Sequence, residues 1–381
     1  MQTRKLYYED CHLQQFTAAV TACEETKDGY AVQLDATGFY PVGGGQDCDT
    51  GILGGVKVRH VRENGEQILH ICDGPLAVGE TVKGSVDYDA RFARMQQHTG
   101  EHIVSGLIHQ LFGYHNVGFH MGKDAMEVDF DGMLTDEDVA KVERLANEAV
   151  WENLPVKCWY PSPEELPQVG YRSKRELPWP VRIVQIPGCD SCACCGVHVE
   201  RTGEVGIIKI LSRAKFHAGV RLEMVCGAQA YAYVSAAMEQ NRQVSQALSV
   251  KALETGDGAK KLLEALSQQK YRNTQLQEQI FCSIAQSYVG STDVIHFEEG
   301  LEPGQLRSLA DRIAQVCGGI AAVFSAAEGK CNYCLVSREK DVSTLGKAMT
   351  QALNGRGGGK PNAQQGTLQA DRAAIEAFFQ K

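Results

Sequence analysis

Two histidines four residues apart, His98 and His102, are the first residues in this chain whose spacing suggests chemistry. On a helix they project from one face about one turn apart, so both imidazoles can reach the same ion. Alone, such a pair is more often a solvated helix face than a metal site. A second cluster changes the reading: Cys194-Cys195-Gly196-Val197-His198 offers a thiolate and an imidazole within one turn-prone segment. The combined His3Cys donor set suits Zn2+. The residues by themselves leave open whether Cys194 or Cys195 is the thiolate. Cys189 and Cys192 lie close by and are candidates for a second, structural zinc, although two ligands alone make free thiols the simpler reading.

Both clusters need rigid elements to bring them together. From Asp89, read as an N-cap, the residues Phe92, Met95, His98, His102, Ile103 and Leu107 recur at helical spacing, which sets the histidines where a helix meets a core or cleft. Glu101, beside them, is a candidate general base or an exposed helix carboxylate. The strand Arg182-Ile183-Val184-Gln185-Ile186, ended by Pro187-Gly188, delivers the cysteine cluster.

The pattern around these elements predicts a multidomain α+β protein. Residues 1–88 alternate short apolar runs with Gly, Asn and Pro turns, as a small β-barrel does. Within them Gly43-Gly44-Gly45-Gln46 is a flexible loop, or a place where backbone closely approaches a ligand. Residues 89–227 read as an α+β domain carrying the metal cluster, with a further helix from about Thr135 to Glu152 behind an acidic, capping start. Residues 228–290 are rich in Ala, Gln, Leu and Glu. Glu254-Thr255-Gly256-Asp257-Gly258 divides them into two helices, expected as a hairpin or coiled coil with Met238, Val244, Leu262, Leu266, Leu276 and Ile280 in an apolar seam, or as a plain helical linker. Residues 291–381 alternate strand and helix as a C-terminal α/β domain. They contain the glycine loop Gly355-Arg356-Gly357-Gly358-Gly359-Lys360, where Arg356 and Lys360 could meet phosphate, unless it is only a surface loop.

At 381 residues, with 43% hydrophobic and 22% charged residues, the chain has the composition of a globular protein of several domains. Its N-terminus lacks an apolar signal segment and no run is long enough to span a bilayer, which predicts a cytoplasmic protein with no membrane partner. In that compartment the 14 cysteines are expected as reduced thiols and metal ligands. The net charge of −9 argues against broad attraction to nucleic acid, so any such partner must meet a local basic patch.

Three separated motifs occur in an order that resembles the AlaX family of alanyl-tRNA editing proteins, in the long form with a C-terminal DHH-associated domain, and the editing half of alanyl-tRNA synthetase. They are Thr37-x-Phe39-Tyr40-Pro41-x-x-Gly44-Gly45-Gln46-x-x-Asp49-x-Gly51, then Arg94-Met95-x-x-His98-Thr99-x-x-His102, then Cys194-x-Gly196-x-His198 leading into Thr202-Gly203-Glu204-Val205-Gly206 and Gly219-Val220-Arg221-Leu222-Glu223. Gly357-Gly358-Gly359-Lys360-Pro361 is similar to the signature loop of the C-terminal domain. Val197 departs from the hydroxyl residue common in the family, which removes any substrate contact from that side chain.

The resemblance implies a zinc-dependent hydrolase that removes serine, and glycine as a further substrate, from mischarged tRNA(Ala). It selects His98, His102, Cys194 and His198 as Zn2+ ligands, sets Gln46 near the reacting ester and brings the Thr37 hydroxyl to the serine hydroxyl. Gly44, Gly45, Arg356 and Lys360 become tRNA or substrate contacts, and the helical and C-terminal parts an elbow-binding or homodimer surface. A noncatalytic zinc-stabilised tRNA-binding protein and a phosphoesterase are the rival readings. The second requires an Asp-His-His tripeptide that the chain lacks. An intact synthetase with an ATP-binding domain is not the expectation.

Overall fold

The computed structural model describes residues 2–173, 177, 179–327 and 330–380. The first eight strands are β1 (Arg4–Lys5), β2 (Gln15–Thr26), β3 (Gly29–Leu34), β4 (Ala36–Thr37), β5 (Gly51–Leu53), β6 (Val56–Asn64), β7 (Gln67–Cys72) and β8 (Thr81–Val86). Their alternation has a clear cause in β8, where Val82, Gly84 and Val86 turn inward and Thr81, Lys83 and Ser85 outward. Six of these strands close into a barrel in the order β2-β3-β7-β6-β5-β8, which leaves no unpaired edge. β1 and β4 form a short parallel pair.

Helix α1 (Tyr88–Phe112) follows directly. Its N-cap is Asp87, whose side chain accepts from the Ala90 N–H, and not the expected Asp89. Asp89 lies instead in the first turn, where its charge complements the exposed N–H groups. From Met95 to Ile108 every residue of α1 is buried, including polar Gln96, Gln97, Thr99 and Ser105. A helix buried on all sides is a central element, and one core joins Val32, Leu53 and Val82 of the barrel to Met95 and Ile103 of α1 and to Val128 and Leu222 beyond it.

That shared core means the boundary expected at 88/89 does not separate two folding cores. The chain divides instead into residues 1–243 and 244–381. In the first unit, β9 (Asn116–Met121), β10 (Met126–Phe130), β14 (Ile208–Phe216) and β15 (Gly219–Cys226) make an antiparallel sheet ordered β14-β15-β10-β9. Between them in sequence, α2 (Asp136–Trp151) starts from the Thr135–Asp138 capping box. β11 (Lys157–Trp159), β12 (Ile183–Ile186) and β13 (Asp190–Ala193) form a three-stranded sheet.

α3 (Gly227–Leu248) ends before Ser249, and α4 (Thr255–Gln286) already begins at Thr255. The helix break therefore precedes the glycines expected to make it, and Gly256 and Gly258 lie in the first turn of α4. Leu262, Leu266, Leu276 and Ile280 on α4 are exposed. In the second unit β16 (Val294–Phe297), β17 (Ile320–Ala327), β18 (Lys330–Ser337), β19 (Arg356–Lys360) and β20 (Ala363–Leu368) form a mixed sheet ordered β16-β17-β18-β20-β19, with α5 (Pro303–Val316), α6 (Ser343–Ala352) and α7 (Arg372–Phe379). Residues 356–360, expected as a loop, are an exposed edge strand paired from Arg356↔Thr367 to Lys360↔Ala363. Extended glycines hydrogen-bond through backbone alone, so the composition of a loop also serves a sheet edge.

Candidate metal centre

The ligand atoms of His98, His102, Cys194 and His198 all lie within 4.8 Å of one another, and Cys194 Sγ stands 3.4 Å from His98 Nε2. Bond lengths of tetrahedral zinc to sulfur and nitrogen imply an edge of about 3.6 Å. Each imidazole is held through its Nδ1. His98 Nδ1 donates to Gln46 Oε1 at 2.9 Å and His102 Nδ1 to Asp190 Oδ2 at 2.9 Å, while His198 Nδ1 pairs with Thr99 Oγ1 at 3.2 Å. The Val197 N–H also donates to Gln46 Oε1, at 3.2 Å, which fixes that atom as the carbonyl oxygen and hence the His98 tautomer. The Nε2 of His198 is buried without a hydrogen-bond partner. Three imidazoles secured at Nδ1 with lone pairs on Nε2 converging beside a thiolate are what a metal requires of its ligands and their supports. The residues fit Zn2+.

Local sequence explains how each ligand arrives. Gly43 and Gln46 exchange backbone hydrogen bonds across a tight turn whose central residues, Gly44 and Gly45, have φ of +60° and +82°. Both positions favour glycine, and the turn sends Gln46 under His98. A Cβ on Gly196 would stand 2.1 Å from His98 Cε1, so only glycine lets the cysteine segment pass this close. Arg182 Nη1 fastens that segment by donating to the Cys194 and Gly196 carbonyls at 2.9 and 2.8 Å. Cys195 is exposed and its carbonyl accepts from Tyr8 OH, so Cys194 is the cysteine at the centre.

The electrostatics follow. Burial opposes ionisation of Cys194, but His98, His102 and His198 outweigh it and hold the thiol well below its ordinary value. Burial and the neighbouring His98 keep His198 well below the usual histidine range. For His102, burial is outweighed by Asp190 and Cys194, which raise it.

A cavity of about 680 Å3 opens beside the cluster, lined by His98, His102 and Cys194 together with Gly44, Gly45, Glu101, Asn116 and Phe119. Glu101 is buried, not an exposed helix carboxylate: Oε1 accepts from Ser105 Oγ at 2.6 Å and from Asn116 Nδ2. Among the described residues, neither Gln46 nor Thr37 lines this cavity. Thr37 sits in β4 against the barrel strand β7, its hydroxyl 2.8 Å from His70 Nε2 and accepting from the Phe39 N–H at 3.0 Å. Arg356 and Lys360 belong to the other unit, where both are exposed. All fourteen cysteines are unpaired. Among the described residues Cys189 joins no grouping of candidate ligands, whereas Cys192 lies near His102 and Asp190.

Several supports escape sequence reasoning. Asp190 is gripped by Arg172 at 2.7 and 2.8 Å while it holds His102. The wholly buried Arg91 meets Asp49 and donates to the Gly38 carbonyl at 2.7 Å, tying α1 to the loop that carries the glycine turn. Asp49 does occur in the barrel motif, and that is the sole sequence signal for this pair.

The four converging side chains, the barrel and the buried helix therefore make one domain with a candidate metal site. Residues 181–222 match the family model of the threonyl and alanyl tRNA synthetase second additional domain, and residues 283–381 that of the DHHA1 domain. The chain is 32% identical over 406 residues to an alanine–tRNA ligase of Thermofilum pendens, covering 99% of this chain and 44% of the ligase, so it spans less than half of that relative. It is 26% identical over 397 residues to the alanyl-tRNA editing protein Aarsd1 of Danio rerio, covering 98% of this chain and 96% of that protein. The solved C-Ala domain of Aquifex aeolicus alanyl-tRNA synthetase matches 24% of this chain and 92% of its own at 25% identity and a TM-score of 0.21. The chain is a homologue of the Aarsd1 alanyl-tRNA editing proteins and of the alanine–tRNA ligases, in an AlaX-like long form.

Proposed function

We propose that this chain hydrolyses the ester that joins a wrongly attached serine, and with the same site glycine, to the 3′ end of tRNA(Ala). The observation that carries the reading is the convergence of His98, His102, Cys194 and His198 beside the cavity that Glu101, Asn116 and the Gly44-Gly45 turn complete. Homology to alanyl-tRNA editing proteins supplies the substrate class. The physical need is plain: an alanine pocket cannot strongly reject glycine or serine by size, so fidelity requires a second, hydrolytic sieve.

In this reading the chain's own groups do the following. Gln46, Asp190 and Thr99 lock three imidazoles in one tautomer and orientation. The Gly44-Gly45 turn presents backbone to the substrate with no side chain between. Zn2+, when bound, supplies Lewis acidity at the reacting carbonyl. Gln46 acts on the reaction through His98, and Thr37 acts by bracing the loop at Phe39. Arg356 and Lys360, two exposed cations on one face of an edge strand, contact the tRNA backbone.

The test is release of labelled amino acid from seryl-, glycyl- and alanyl-tRNA(Ala), with and without a zinc chelator. Chelator-sensitive release of serine and glycine with alanine retained is expected. Four protein ligands are also the composition of a structural zinc site, which favours a noncatalytic tRNA-binding protein as the second reading. Tight tRNA binding without release of any amino acid would replace the first reading with the second.

A further inference from the structure

Glu101 and Asn116 leave an acceptor-rich corner in the cavity. Glu101 is 5% and Asn116 6% exposed. Among the described residues, both hydrogen bonds to Glu101 end on Oε1, from Ser105 Oγ at 2.6 Å and Asn116 Nδ2 at 2.5 Å, while Oε2 stands 4.0 Å from His102 Nε2. Asn116 must turn its amide nitrogen toward the carboxylate, and that nitrogen also reaches Ser105 Oγ at 3.2 Å. Its carbonyl oxygen, Oδ1, is consequently buried with no donor at all. One unsatisfied buried acceptor, Asn116 Oδ1, and a carboxylate whose second oxygen accepts no hydrogen bond among the described residues belong to side chains locked together by a hydrogen bond, and both residues line the cavity beside the candidate metal ligands. A buried acceptor without a donor is costly, so the corner is complementary to a group with several N–H donors and a positive charge. Of the side-chain and substrate groups that match, an ammonium is the compact one: three donors and no acceptor.

We infer that Glu101, assisted by Asn116, binds the α-ammonium of the aminoacyl group. This rests on the editing reading above and makes Glu101 a specificity-determining residue for it: the corner distinguishes an amino acid ester from any other acyl ester. Serine and glycine share the ammonium, so the contact serves both and leaves discrimination against alanine to the rest of the cavity. The Ser105 and Asn116 donors are spent on orienting the carboxylate.

The experiment uses the zinc-loaded full chain and two probes, a non-hydrolysable 3′-amide of serine on adenosine and the same compound N-acetylated. Calorimetry should show N-acetylation weakening binding to the unaltered chain by about tenfold or more, as expected for loss of a charged hydrogen bond. Glu101→Gln can keep its amide oxygen on the Ser105 and Asn116 donors and replaces Oε2 with a donor, so the fold is retained. It should bind the two probes within about twofold of each other, raise KM for seryl-tRNA(Ala) more than it lowers kcat, and retain its zinc. Equal binding of the two probes by the unaltered chain overturns the inference, as does loss of zinc from Glu101→Gln, which would make Glu101 a support of the metal. Failure of the unaltered chain to release any amino acid refutes the editing reading itself, and the probe measurement is scored separately from that result.

Discussion

His98 Nδ1 donates to Gln46 Oε1 across 2.9 Å, which fixes the ring so that Nε2 meets Cys194 Sγ at 3.4 Å. A buried glutamine from the glycine turn thereby sets the tautomer of a candidate metal ligand on the helix. Gln46→Leu removes that acceptor and also the partner of the Val197 N–H. Zinc affinity should fall by about 10- to 100-fold, measured by competition with a chromogenic chelator. Unchanged affinity would show that packing alone orients His98.

The cluster makes a sharp distinction between adjacent cysteines. Cys194→Ser and His102→Ala should each lose zinc and hydrolytic activity together, by metal analysis and ester release. Cys195→Ser, altering an exposed side chain, should retain both. Retention of zinc by Cys194→Ser would remove that thiolate from the ligand set.

Thr37→Val tests whether this hydroxyl meets substrate or braces the barrel. The substitution strips the pairing with His70 Nε2 and the acceptor for the Phe39 N–H. Denaturant unfolding should show a loss of about 1–3 kcal/mol for the buried polar groups left unpaired. Activity toward seryl- and glycyl-tRNA should fall in parallel. A loss confined to seryl-tRNA would establish direct contact with the serine hydroxyl.

Arg91 and Asp49 are both fully buried, so each is costly without the other. Arg91→Leu should destabilise the chain by about 3–5 kcal/mol and loosen the glycine turn. The Asp49→Asn, Arg91→Leu double variant should recover part of that loss in a double-mutant cycle. Simple additivity would argue that the pair is not coupled.

His70 gives the barrel a defined pH response. Burial depresses its pKa to about 4, against a smaller opposing effect of its bond to the Val32 carbonyl. The unfolded chain, with a histidine near pH 6.5, binds the extra proton first, so stability is fully present above about pH 6.5 and declines as pH falls toward 4. The decline from this one group amounts to about 3 kcal/mol, to be read from urea midpoints between pH 7.5 and pH 4. His70→Gln should flatten that profile, and an unaltered slope would assign it to other groups.

Periodicity made α1 legible, because a helix with apolar residues every three or four positions announces its buried face. The capping box at Thr135 was equally readable, being a purely local device. Residues 356–360 misled for the same local reason: glycines suit a loop and a sheet edge alike, and only pairing with residues 363–367 decides. The Cys194–Cys195 choice was open from chemistry; in the structure it is Cys194 Sγ that lies 3.4 Å from His98 Nε2, while Cys195 is exposed.

By itself, the sequence determined the donor types, their His-x3-His and Cys-x3-His spacings, the capped helices and the alternating strands, all of which depend on residues a few positions apart. Only the tertiary structure decided that Gln46, Thr99 and Asp190 hold the imidazoles, that Glu101 is buried, and that Thr37 faces His70. The hydrogen bonds to the imidazoles and to Thr37 join residues 33 to 99 positions apart. Which buried polar groups then find partners is a property of packing around α1 and not of any local pattern.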